Sequence, residues 1–64
     1  MVKINGTFHE VVGQTLMEYL STTSYDSKRI AVERNGEIVP KGSYGTVELK
    51  KGDVIEVVSF VGGG

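Results

Sequence analysis

The chain has no cysteine, one proline and one histidine in 64 residues. Without cysteine there is no disulfide framework and no thiolate zinc site, which suits a reducing compartment and makes the cytoplasm the expected location. His9 has no second histidine and no cysteine to share a metal with, so it reads as an exposed strand residue, and no metal site is expected. An excess of either charge is also missing, since 7 Lys and Arg face 8 Asp and Glu. The basic residues Lys3, Lys28, Arg29, Arg34, Lys41, Lys50 and Lys51 are scattered rather than gathered into a stripe, which argues against a nucleic-acid partner. No apolar run reaches the length of a signal peptide core or a membrane span, so no membrane role is expected. What remains is 39% hydrophobic and 23% charged, the balance of a folded globule rather than a disordered segment. A single domain of this size buries only about 60% of its unfolded surface, which leaves little room for an enclosed active site.

The pattern along the chain is that of a small sheet with one helix. Val2 and Ile4 alternate with Lys3, as on a half-buried strand, and Asn5-Gly6 is a strong hairpin signal leading to a return strand over Thr7 to Val12. Asn5-Gly6-Thr7 also fits a glycosylation acceptor, but with no secretory signal it reads as a turn. Thr15-Leu16-Met17-Glu18 is a capping box. It opens a helix whose inward stripe is Leu16, Tyr19, Leu20 and Thr23. The run Ser21-Thr22-Thr23-Ser24 ends that helix, because these side chains compete for backbone hydrogen bonds. Their hydroxyls lack a paired base, so no catalytic residue is assigned. A strand over Arg29 to Arg34 follows, then a turn at Asn35-Gly36 and the short segment Ile38-Val39, which Pro40 confines to an edge or terminates. Tyr44 is expected as a lid on the core and Thr46 to Leu49 as a brief strand. The final strand runs from Val54 to Val61 after a turn at Lys51-Gly52-Asp53. Glu56 keeps its face in water, so Ile55 and Val57 should point to the core. Val58 and Phe60 then stand exposed and, with Val61 where the strand ends, form a candidate docking surface. The fold class is α+β, a mixed sheet of four to five strands with one main helix across one face.

Three of the nine glycines, Gly62, Gly63 and Gly64, close the sequence. They suggest a flexible tail over 62–64 on a body over 1–61. Glycine has no Cβ, so such a tail passes through a channel too narrow for side chains. The α-carboxylate of Gly64 would be its reactive group. A phosphate-binding loop fits poorly, for no Gly-Lys-Ser/Thr ending and no helix follow. A tail of this composition also fits a terminus that merely frays.

Four segments carry a family likeness. They are Gly13-Gln14-Thr15-Leu16, Asn35-Gly36-Glu37-Ile38-Val39-Pro40, Gly52-Asp53-Val54-Ile55-Glu56-Val57-Val58 and Val61-Gly62-Gly63-Gly64. In this order and at this length the chain resembles the ubiquitin-like sulfur carriers of the ThiS type, in the ThiS/MoaD family. Thr7 to Val12 and Ser21 to Lys28 stand outside the likeness. The resemblance implies a β-grasp fold and a non-enzymatic carrier in thiazole formation for thiamin. It implies that Gly64 is adenylated and then converted to a terminal thiocarboxylate, with Gly62, Gly63 and Gly64 threading into the partner. The implied partners are a ThiF-like adenylyltransferase, a cysteine desulfurase-type sulfur donor and a ThiG-like thiazole synthase. ATP and magnesium would be used by the adenylyltransferase, and the carrier would bind no cofactor of its own. The small subunit of a molybdopterin synthase, a protein modifier joined to lysines, and a non-reactive interaction module remain as alternatives.

Overall fold

Two Asn-Gly pairs reverse the chain in the same way. In the computed structural model, which describes residues 1–60, Asn5 and Gly6 have φ of 49° and 84°, and Asn35 and Gly36 have 52° and 87°. Positive φ at both central positions defines the type I′ turn, whose twist matches that of the strands it joins. The first turn links β1 (Val2–Ile4) to β2 (Thr7–His9), and the second links β3 (Ile30–Arg34) to β4 (Glu37–Ile38). With β5 (Val54–Ser59) they form a 5-stranded sheet in the order β2-β1-β5-β3-β4. β1 and β5 run parallel, while the other neighbouring strands are antiparallel.

Helix α1 (Leu16–Ser21) has only 6 residues, too few to hold itself together in water. Its free N-terminal donors are each given a partner. Leu16 N–H donates to the Val47 carbonyl at 2.8 Å and Met17 N–H to the Tyr44 carbonyl at 2.8 Å. Glu18 N–H donates to Thr15 Oγ1 at 3.1 Å, while Glu18 Oε1 accepts from Thr15 N–H at 2.7 Å, completing the expected capping box. At the other end the hydroxyls of Ser21, Thr22 and Thr23 donate to the carbonyls of Glu18, Tyr19 and Leu20. These residues finish the helix, as their composition suggests.

The core is a single cluster in which Leu16, Tyr19 and Leu20 of the helix join Val2, Ile4, Ile30, Val32, Ile55 and Val57 of the sheet. Val39, Tyr44 and Leu49 complete it from the connecting segment, which includes a 3-10 turn at Lys41–Ser43. The architecture is the β-grasp that the sequence implies.

Several expectations change in detail. The return strand stops at His9 rather than Val12, because β1 is only 3 residues long and offers no partner further on. Thr46 to Leu49 is not a strand. The carbonyl of Val47 caps the helix, Leu49 bonds to Gln14 and Gly13, and only an isolated bridge between Thr15 and Glu48 remains. Tyr44 is no lid, for at 1% exposure it is fully inside the core. Thr23 is only half-buried, whereas the rest of the helical stripe is buried. His9 is half-buried as well, its ring edge-on to Tyr19 at 5.7 Å. The last strand ends at Ser59 within the described residues, and Val61, Gly62, Gly63 and Gly64 lie outside them. The proposed boundary between body and tail therefore also falls outside.

Candidate functional site

β5 carries the described part of the candidate site, and the two asparagine turns hold it from both sides. Asn5 donates its backbone N–H to Ile55 O at 3.0 Å. Its side-chain Oδ1 accepts from Val57 N–H at 2.8 Å, and Nδ2 donates to Val57 O and the Tyr25 hydroxyl, each at 3.2 Å. β1 ends at Ile4, so the Asn5 amide stands in for the next backbone group of the ladder. Asn35 does the same on the other side, with its N–H on Val54 O and its Oδ1 accepting from Val54 N–H, both at 2.8 Å. Past the assigned strand, Phe60 N–H still donates to Arg29 O at 2.8 Å, so pairing with the β3 side persists to the last described residue.

The near end of β5 is anchored by Asp53, which is buried. Its carboxylate accepts from Lys50 N–H at 2.9 Å, Arg34 Nε at 3.0 Å and Asn35 Nδ2 at 3.1 Å. Burial pushes the Asp53 carboxyl pKa up, but the bonds from Lys50 and Asn35 and the charge of Arg34 outweigh it and hold the pKa below the usual carboxylate range. A depressed folded pKa contributes stability above the unfolded value of about 3.9, and this is lost as pH falls through the folded value. Acid unfolding of the wild-type chain should thus draw on Asp53 below about pH 4, and Asp53→Asn should flatten that part of the stability profile. At pH 7 the variant should be less stable by about 1–3 kcal/mol, since the new amide sets a donor against donors. Denaturant melts between pH 2 and 7 read both effects; an unchanged acid limb in Asp53→Asn would remove Asp53 from the account.

Alternation along β5 puts Ile55 and Val57 in the core and leaves Val54, Glu56 and Val58 on the face away from the helix. Val58 and Phe60 are 57% and 58% exposed, as expected of the docking candidates. Strand register brings more residues to this open face. Val54 is opposite Lys3, which is opposite Phe8. Glu56 is opposite Glu33, which is opposite Ile38, and Val58 is opposite Ala31. Phe8, Ile38 and Val54 are exposed apolar residues that the sequence reading did not assign to the site. Phe8 was within reach, because a two-residue Asn-Gly loop sets Ile4 against Thr7 and so Lys3 against Phe8. Ile38 was not, since nothing local says that β3 lies beside β5. Among the described residues no group of three His, Cys, Asp or Glu could hold a metal ion, and no helix is long and apolar enough to cross a membrane.

Comparison with known proteins connects this geometry to a family. A family model described as the ThiS family matches residues 2–64. A thiazole synthase of Paramagnetospirillum magneticum is 50% identical over 50 residues, which are 78% of this chain and 15% of that protein. The sulfur carrier protein ThiS of Bacillus subtilis is 48% identical over 50 residues, covering 78% of this chain and 76% of that one. The crystal structure of a thiamine biosynthesis protein (ThiS) from Geobacter metallireducens superimposes with a TM-score of 0.77 at 28% identity, over 98% of this chain and 97% of that chain. The chain spans 15% and 20% of the lengths of the thiazole synthases it matches.

Proposed function

The chain belongs to the ThiS family, and from that premise we propose that it is a sulfur carrier of thiamin biosynthesis, acting through the α-carboxylate of Gly64. The observation that carries this reading is the likeness to the Bacillus subtilis sulfur carrier, 48% identical over 76% of that protein's length. The stretch shared with thiazole synthases supports a ThiG-like thiazole synthase as the acceptor of the sulfur.

The chemistry asks little of the carrier beyond the acid group. A carboxylate is a poor electrophile because its charge is shared over both oxygens and neither is a good leaving group. In the site of a ThiF-like adenylyltransferase, a Gly64 oxygen would attack the α-phosphorus of ATP, and pyrophosphate would leave to give the acyl-adenylate. The partner's magnesium would offset phosphate charge in that step. A persulfide on a cysteine desulfurase-type donor would then add at the acyl carbon and expel AMP. A thiol would attack the donor-side sulfur of the resulting acyl disulfide, forming a disulfide with the donor cysteine and releasing the thiocarboxylate. With a reference pKa of about 3.3–3.7, a free α-carboxyl is ionised at neutral pH without help from a neighbouring base. Gly62 and Gly63 would pass through the partner's cleft, while Val58, Phe60 and Val61 would meet its surface.

Intact mass spectrometry tests the reading directly. After incubation with ATP, a candidate adenylyltransferase and a sulfide source, the chain should gain the mass difference of one oxygen exchanged for sulfur. If the parent mass persists while a known ThiS carrier is converted in the same mixture, the proposed function fails.

A further inference from the structure

We propose that the open face of the sheet receives a protein surface presenting an arginine guanidinium between apolar side chains, with Glu33 and Glu56 as its paired acceptors. This deepens the docking role given above to Val58 and Phe60 and rests on it.

The inference starts from strand register. Glu33 of β3 lies directly opposite Glu56 of β5, and like charges placed so work against the sheet. Among the described residues the ion pairs involve Asp26, Glu48 and Asp53, and neither member of the opposed pair takes part. Lys3, in the neighbouring row, holds its Nζ 5.8 Å from the centre of the Phe8 ring. The two carboxylates are set among apolar residues. Val54 and Val58 flank Glu56 at two residues on either side, and Ile38 is Glu33's other neighbour across the sheet. All three are exposed.

An apolar cover over these residues alone would strip water from two adjacent carboxylates and offer no counter-charge, which is strongly unfavourable. A partner that buries the face must therefore bring positive charge to its centre. Arginine suits the position better than lysine. Its planar fork offers five donors and reaches both carboxylates at once, and it is less strongly hydrated than an ammonium group. A second copy of this chain is a poor occupant. A two-fold axis through the face would bring two opposed glutamate pairs together, while the cations each copy has on that face stand away from its centre, Lys3 over Phe8 and Arg29, opposite Phe60, beside Asp26.

The test compares Glu33→Gln/Glu56→Gln, Val58→Asp and the off-face control Glu48→Gln in calorimetric titrations against the adenylyltransferase and the thiazole synthase of the same genome. The double glutamine variant should bind at least one partner about tenfold or more weakly and lose most of the salt dependence of binding. Its melting temperature should equal or exceed that of the parent, because a repulsive pair has been removed, so weaker binding cannot be ascribed to misfolding. Glu48→Gln should bind as the parent does. If the double variant binds normally while Val58→Asp does not, the face docks without a cation; this inference fails and the docking role stands. If both variants bind normally, the docking role fails too. Sedimentation of the chain alone as a dimer that Val58→Asp disperses would replace the partner with a second copy.

Discussion

Gly63→Val should fold like the parent and lose adenylation by about a hundredfold or more, the scale on which misplacing a reacting group costs rate. Among the described residues, every member of the core lies between Val2 and Val57. The thermal midpoint should not move. Valine adds a branched side chain where the proposed function needs the chain to enter a narrow cleft, and its branching also narrows the backbone conformations open to it. ATP–pyrophosphate exchange catalysed by the adenylyltransferase reads the effect. Gly63→Ala should fall between the two, since it adds one methyl group without branching. Exchange at the parental rate in Gly63→Val would sink the steric argument and with it the threading role of Gly62, Gly63 and Gly64.

Tyr44→Ala should unfold much of the protein at moderate temperature. Removing a large, fully buried side chain costs about 3–5 kcal/mol through lost burial and the cavity left behind. A domain of this length has a total stability of only about 3–10 kcal/mol. The expected fall in melting temperature is about 12–40 °C, at 4–8 °C per kcal/mol for domains of this size. Tyr44 also sits at a junction, for its carbonyl accepts from Met17 N–H in the first turn of the helix. Tyr44→Phe preserves the ring and should cost far less. Burial pushes the Tyr44 hydroxyl pKa upward, so ionisation at alkaline pH should oppose the fold in the parent. The phenylalanine variant should escape that alkaline loss. Circular dichroism melts of the three chains decide the matter; a Tyr44→Ala chain within a few degrees of the parent would mean that the connecting segment collapses into the cavity at little cost.

Local signals were legible where the chemistry is local. A type I′ turn needs positive φ at two adjacent residues, and Asn-Gly supplies it, so both hairpins could be read from four letters. The capping box is likewise complete within Thr15 to Glu18. The inward side of β5 followed from the reluctance of Glu56 to be buried. The segment from Tyr44 to Leu49 was not legible, for the opposite reason. Its backbone does not pair with a strand but caps the helix, and its aromatic residue enters the core, which depends on contacts across more than twenty residues of chain.

By itself, then, the sequence determined the turns, the helix start, the alternation of β5 and the likeness to a sulfur carrier family, because each depends on residue types at short, regular spacing. Only the tertiary structure decided that Ile38 comes to the face that Val54 and Val58 share, and that Glu33 meets Glu56 across it. Those neighbours are chosen by strand order, and strand order is set by how one buried layer closes over the helix rather than by any single stretch of chain.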